Sequence, residues 1–246
     1  MLALITGASS GIGKELAIQL ASKNYNLILI ARRLEKLKEL KTKLTNVEVT
    51  IYQTDLSDNN QLEKLLNNLK NHKIDLFINN AGYGMIGKSY NLPTENELNM
   101  IDLNIKSLHI LTKFALENMS CGKIVNISSL AAYLPTPKLA SYAATKAYVS
   151  SYSEAINYEL KIANKPLKVL TVAPGPVKTE FNQVAKANQK LKALDVKKCV
   201  KIIIKGIDKN KSLIIPGFKM KIFYFFVKIL PKKIILNVSY KIQNKK

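Results

Sequence analysis

Cysteine, histidine and arginine are all scarce in this 246-residue chain, and each scarcity closes off a class of function. The two cysteines, Cys121 and Cys199, lie far apart with neither pairing nor metal spacing. No disulfide framework is expected, and a reduced, cytoplasmic protein is the default. The two histidines, His72 and His109, have no cysteine or acidic partner at ligand spacing, so no metal is expected. No uncharged apolar run reaches the roughly 18 residues of a membrane span. The chain opens on apolar, strand-like Met1-Leu2-Ala3-Leu4-Ile5 running into a glycine loop, so no signal peptide is expected.

Acidic residues are few as well, 17 against 38 lysines and arginines, for a net charge of +21 and a pI near 9.8. The excess is uneven. Residues 186–246 hold 17 lysines against Asp195 and Asp208, a net +15, and leave +6 for residues 1–185. A basic protein invites a nucleic-acid partner. The chain carries no helix-turn-helix, zinc or RNA-binding signature, and its lysines are mixed with Asn and Ile throughout, as a compositional bias of the source genome produces. No nucleic-acid partner is expected; a tail that bound one would show steeply salt-dependent affinity.

What is abundant is apolar sequence, 47% of the chain, enough for one α/β domain with a large core. Leu2 to Thr6, Asn26 to Ala31, Glu48 to Gln53, Leu76 to Asn79, Lys123 to Ser128 and Lys168 to Ala173 are predicted strands, most of them apolar on both faces. Such strands belong to a parallel sheet covered on both sides. Between them Lys14 to Lys23, Leu34 to Leu44, Asn60 to Lys70, Glu95 to Met119 and Ser141 to Ala163 have helical spacing. The alternation predicts a single domain with a doubly wound parallel sheet of the Rossmann type. After Pro174 it weakens, and Pro216 to Lys246 becomes a lysine-studded apolar tail.

Three stretches carry chemistry. Thr6-Gly7-Ala8-Ser9-Ser10-Gly11-Ile12-Gly13 joins the first strand to the first helix, where glycines let a pyrophosphate approach the N–H groups of a helix start. Its spacing is Gly-x-x-x-Gly-x-Gly, not the commoner Gly-x-Gly-x-x-Gly. Arg32 and Arg33, the two arginines of the chain, stand side by side at the end of the second strand, where a dinucleotide's adenosine ribose should lie. Guanidinium binds a phosphate bidentately, and no carboxylate for ribose hydroxyls stands beside Ala31; NADP is therefore favoured over NAD. Tyr142-Ala143-Ala144-Thr145-Lys146 places a phenol and an ammonium four apart on one helix face. A free tyrosine titrates near about 10, and a nearby ammonium should lower that towards the working range of an acid/base. Ser129, thirteen residues earlier at a strand end, can donate a hydrogen bond to a substrate carbonyl.

Taken in order, Thr6-Gly-x-x-x-Gly-Ile-Gly13, Asp55-Leu56, Asn79-Asn80-Ala81-Gly82, Asn104, Ser129, Tyr142 with Lys146, and Pro174-Gly175-Pro176-Val177-Lys178-Thr179 resemble the short-chain dehydrogenase/reductase family. The branch is that of about 250 residues, a single domain's length. The match runs from the first residue to about Phe181. The resemblance implies roles: Tyr142 as acid/base, Lys146 lowering its pKa and holding the nicotinamide ribose, Ser129 orienting the carbonyl, and Asn104 positioning a water that links Lys146 to solvent. It further implies that Gly7, Ser9, Ser10, Gly11, Ile12 and Gly13 cradle the cofactor, with Arg32 and Arg33 at the 2′-phosphate. Asp55, with Leu56, would meet the adenine. Asn79, Ala81 and Gly82 would line the cleft, Pro174, Gly175 and Val177 would bind the cofactor, and Thr179 would meet the carboxamide. Many NADP-using relatives carry a basic residue where this chain has Ser10, so the phosphate reading rests on the arginine pair. The last 65 residues match no family motif, and they include the segment, about Phe181 to Leu194, that usually closes over substrate.

The expected function is interconversion of a carbonyl and a secondary alcohol with NADPH, in the direction of reduction, on a hydrophobic or lipid-like substrate. A homodimer or homotetramer is expected. The alternatives are an NAD-dependent alcohol dehydrogenase and a non-catalytic NADP-binding redox sensor; nothing about cofactor binding alone requires Ser129, which argues against the sensor. In the tail, Phe218, Ile222, Phe225 and Ile229 recur at helical spacing, and two short helices broken at Pro231 are expected. Either these aromatics pack on the domain, roof the pocket or form a subunit contact, or they lie peripherally in a membrane interface with lysines reaching to anionic head groups.

Overall fold

A computed structural model describes residues 1–181 and 193–244. Seven strands, β1 (Leu2–Thr6), β2 (Asn26–Ala31), β3 (Val49–Gln53), β4 (Leu76–Asn79), β5 (Gly122–Ile127), β6 (Leu167–Val172) and β7 (Leu213–Ile214), form one sheet in the order β3-β2-β1-β4-β5-β6-β7. Every neighbouring pair is parallel. Parallel neighbours need crossovers, and the helices supply them: α1 (Gly11–Ala21), α2 (Leu34–Lys43), α3 (Asn59–Leu69), α4 (Thr94–Ile101), α5 (Leu108–Asn118), α6 (Ala140–Ile162) and α7 (Val196–Asp208).

The pleat divides the core in two. Along β1, Ala3 and Ile5 face one layer with Leu16 and Leu20 of α1, Leu37 of α2 and Ile203 of α7. Leu4, between them, faces the other with Leu65 of α3, Phe114 of α5 and Ile156 of α6. This two-sided burial is why the strands are apolar throughout rather than alternating. The order in which strands are added reverses between β1 and β4, so the carboxyl ends of the strands open there into a crevice.

Two features depart from the sequence expectation. The helix predicted over 95–119 is interrupted by a π turn at Asp102–Ser107, between α4 and α5. The two-residue β7 and α7 fall in the region after Pro174 where the alternation weakens and no element was predicted. α7 is a well-made amphipathic helix, capped by the Asp195 carboxylate accepting from Lys198 N, with Cys199, Val200, Ile203 and Ile207 buried. Its lysines obscure that periodicity by filling the outward positions. The tail forms α8 (Phe218–Ile229) and α9 (Lys232–Asn244) on either side of Pro231. Most of the Phe181–Leu194 segment expected to close over substrate lies outside the described residues.

Candidate active site

The crevice is built by loops fastened to one another. Thr6, 1% exposed at the end of β1, accepts on Oγ1 from Asn80 N at 2.9 Å and Ala81 N at 3.0 Å. Asn80 Nδ2 donates to Thr6 O at 2.9 Å. The loop after β4 is thereby pinned to the glycine loop, and the chains run so close that a Cβ on Gly13 would meet Gly7 O at 2.4 Å. Gly7 sits at φ 66°, a conformation open to glycine at little cost. Ser10 caps α1 without a side-chain cap bond, and the first turn of α1 carries no acidic residue. Its first-turn N–H groups and the positive end of the helix dipole are available to an anion, so the loop fits a dinucleotide's pyrophosphate. Ile12 packs inward on the core.

Around this loop lie the other predicted cofactor residues. Arg33 donates from Nε and Nη2 to Ser9 Oγ, each at 3.2 Å, and pairs through Nη1 with Glu180 at 2.9 Å. Arg32 Nη1 meets Asp55 Oδ2 at 3.5 Å. Sequence spacing did not show that each guanidinium has a carboxylate beside it. Asp55 also accepts from Ser57 N and Oγ, at 3.0 and 2.6 Å. Burial raises its carboxyl, but the Ser57 bonds and Arg32 outweigh that and hold it below the usual range. Leu56 is buried in the second core layer. Thr179 lies over the glycine loop, 3.3 Å from where a Gly11 Cβ would stand. The Pro174–Thr179 loop is fixed by Leu130 N donating to Pro174 O at 3.0 Å, and Val177 forms a parallel bridge with Leu194. Gly175 packs against Met220 of α8.

Asn79 is a correction. Its side chain is turned into the interior, donating to Thr112 Oγ1 at 3.1 Å and Asn126 Oδ1 at 2.9 Å. It ties β4 to α5 and β5, and only its backbone is left for the cleft.

The groups expected to react converge at the start of α6. Ser129 follows β5 and accepts on Oγ from Ala131 N at 3.2 Å, capping a short helical turn that fixes its direction. Tyr142, one turn into α6, has its ring 5.5 Å from that of Phe181, and both rings crowd Gly84. Lys146, 4% exposed, donates from Nζ to Ile127 O at 2.9 Å and lies 6.0 Å from the Tyr142 ring centroid. Gly82 sits against both Lys146 Nζ and Asn104 Oδ1, at 3.2 and 2.9 Å from where its Cβ would stand. Asn104, fully buried in the π turn, donates from Nδ2 to Tyr83 O at 2.9 Å and Thr145 Oγ1 at 3.1 Å. A π turn shifts the helix register by one residue, a device that recurs at functional sites.

The electrostatics differ from expectation. Burial pushes the Tyr142 phenol up to about 12, and the opposing influence is the Ser129 hydroxyl. Burial also pushes the Lys146 ammonium down to about 8. The expected lowering of Tyr142 by Lys146 does not accompany that rise; the Lys146 ammonium donates to the Ile127 carbonyl. The phenol is thus kept protonated, as a proton donor requires. Thr6, Gly84, Phe181 and Met220 are site-building residues that the motifs did not reveal; for Thr6 the signal was its place before the first glycine.

The short chain dehydrogenase family profile matches residues 1–190. The chain is 33% identical over 184 residues to the very-long-chain 3-oxoacyl-CoA reductase of Mycosarcoma maydis, a stretch that is 68% of this chain and 51% of that protein. The chain therefore spans about half of that reductase. It is 31% identical over 249 residues to 11-beta-hydroxysteroid dehydrogenase-like 3 of Arabidopsis thaliana, across 96% of this chain and 80% of that one. A short-chain dehydrogenase from Sphingobium yanoikuyae, solved with NADPH, superposes with a TM-score of 0.84 at 29% identity, over 92% of this chain and 91% of that one. The chain belongs to the short-chain dehydrogenase/reductase family of NAD(P)-dependent oxidoreductases.

Proposed function

We propose that the protein is an NADP-dependent reductase that turns the carbonyl of a hydrophobic, lipid-like substrate into a secondary alcohol. The observation that carries this is the Ser129–Tyr142–Lys146 cluster, with a phenol kept protonated beside a hydroxyl and a buried ammonium behind it. A nicotinamide dinucleotide, when bound, supplies the hydride. Ser129 donates a hydrogen bond to the substrate oxygen and holds it near Tyr142. Tyr142 gives that oxygen its proton as negative charge develops. Lys146 would hold the nicotinamide ribose, and a water positioned by Asn104 would link Lys146 to solvent, the source of the proton that returns to Tyr142.

Arg32 is the guanidinium assigned to the 2′-phosphate. Arg33 is already committed to Ser9 and Glu180, whereas Arg32 meets Asp55 at a longer 3.5 Å and is 64% exposed. The apolar substrate class is supported by the Phe181 ring beside Tyr142, and by the long-chain acyl and hydroxysteroid names of two relatives. The protein works in the cytoplasm as a homodimer or homotetramer, with its tail peripheral to a membrane. Support for the last is that no helix among the described residues is long and apolar enough to cross one, while the tail's outer face stays apolar.

A panel of ketones and aldehydes of rising chain length, assayed by NADPH oxidation, tests the proposal. Turnover that improves with chain length and is faster with NADPH than NADH is expected. Equal rates with NADH would favour the alcohol dehydrogenase, and NADPH binding without turnover of any carbonyl would favour the sensor.

A further inference from the structure

α8 has two unlike faces. At about 100° per residue, Met220, Phe223 and Tyr224 fall on one side and pack on Leu130, Ala173 and Ile215. Phe218, Ile222, Phe225 and Ile229 fall on the other, 77%, 43%, 61% and 62% exposed. Lys219, Lys221 and Lys228 flank that exposed stripe on the same helix. The apolar exposure continues into α9, where Ile234 and Val238 are each 46% exposed.

A second observation lies beside the first. Between α7, β7 and α8 a cavity of about 360 Å³ is lined by Lys205, Lys209, Lys211 and Lys221 together with apolar side chains that include Ile202 and Leu213. The adjacent carboxylate, Asp208, is taken by Lys23 at 2.6 Å. After Asp208 the chain holds no acidic residue. Four lysines lining one cavity together with apolar side chains suit a phosphate carrying hydrocarbon, and Lys221 belongs to both the cavity and the edge of the α8 stripe.

We propose that α8 and this lysine-walled cavity form a docking face for an anionic phospholipid membrane, with the phenylalanine stripe lying in the interface and the lysines taking lipid phosphates. Charge complementarity selects this occupant: the face combines exposed aromatics with many lysines and few carboxylates, Glu154 near Lys228 and Asp208 paired with Lys23, which opposes a second copy of the same face and favours an anionic surface. At 12 residues α8 is about 18 Å long, enough to lie in an interface and too short to cross a bilayer. The inner side of α8 seats Met220 on Gly175 and Tyr224 on Tyr133, at a ring separation of 4.8 Å, so the docked face adjoins the Ser129 loop. Delivery of lipid-like substrate to that loop rests on the proposed reductase; docking does not, and is read without turnover.

The full chain is sedimented with vesicles of phosphatidylcholine alone or of phosphatidylcholine with phosphatidylglycerol, at low and high salt. Binding to the anionic vesicles alone, weakened by salt, is expected. Phe225→Asp and, separately, Lys205→Glu with Lys209→Glu should each weaken it at least about tenfold, with an unchanged melting temperature. The wild type staying in the supernatant at low salt, or binding both vesicle types alike, overturns the proposal. So does Phe225→Asp splitting an oligomer in velocity sedimentation while vesicle binding persists. Saturable micromolar binding of glycerol 3-phosphate, a headgroup without chains, would assign the cavity to a soluble ligand and equally overturn it.

Discussion

Arg32 and Lys146 have the two side chains whose surroundings make the sharpest demands. The Arg32 guanidinium stands at the end of β2 with Asp55 at 3.5 Å, a distance that leaves its donors free to turn towards a phosphate. A charge-assisted hydrogen bond contributes about 1.5–3 kcal/mol, or roughly one to two decades in dissociation constant. Arg32→Ala should therefore remove most of the preference for NADPH over NADH in titration calorimetry, and an unchanged preference would move the phosphate elsewhere. Lys146 is the opposite case, an ammonium held by burial at about 8 instead of 10.5. Below pH 8 it is charged both folded and unfolded, so the folded state bears the full desolvation penalty. Between pH 8 and 10.5 the folded state releases the proton first, and stability from this group rises with pH. Without dinucleotide, Lys146→Met should melt higher than the wild type at pH 7, by a margin that shrinks as pH passes from 8 to 10.5, while losing turnover. A lower melting temperature at pH 7 would show that the Ile127 bond outweighs the desolvation.

The elements are joined across the site by buried polar contacts that composition does not reveal. Asn126, fully buried in β5, accepts from Asn79 of β4 and donates to Ser153 of α6 at 2.9 Å each. Asn126→Ala would leave an amide and a hydroxyl short of partners, each costing about 1–3 kcal/mol. A lower urea midpoint with an unaltered m-value is expected; an unchanged midpoint would mean the network contributes nothing net. The six predicted strands and the helices through α6 were legible because strands buried on both sides write unbroken apolar runs and the helices keep their period. The Ser129, Tyr142 and Lys146 positions were legible because each sits at a strand end or on one helix face. The inward turn of Asn79, the π turn around Asn104 and the carboxylates beside Arg32 and Arg33 were not. Each depends on contacts between residues far apart in sequence, 33 positions for Asn79 with Thr112 and 147 for Arg33 with Glu180. The tail was half legible: its period predicted helices, but which face packs was decided by Leu130 and Ile215.

At the scale of the whole molecule, the sheet gathers the proposed acid/base, the glycine loop and the arginines around one crevice at the carboxyl ends of its strands, and α8 adds a basic, half-apolar flank beside it. In the proposed reaction this arrangement moves a proton through Tyr142. The most direct measurement compares wild type and Tyr142→Phe for NADPH affinity by calorimetry and for reduction of a confirmed carbonyl substrate in single-turnover kinetics. Phenylalanine keeps the ring against Phe181 and Gly84 and removes the hydroxyl alone. The account expects cofactor affinity within about twofold and a loss of roughly 10²–10⁴-fold or more in the reductive step. Reduction by the phenylalanine variant at the wild-type rate would contradict it.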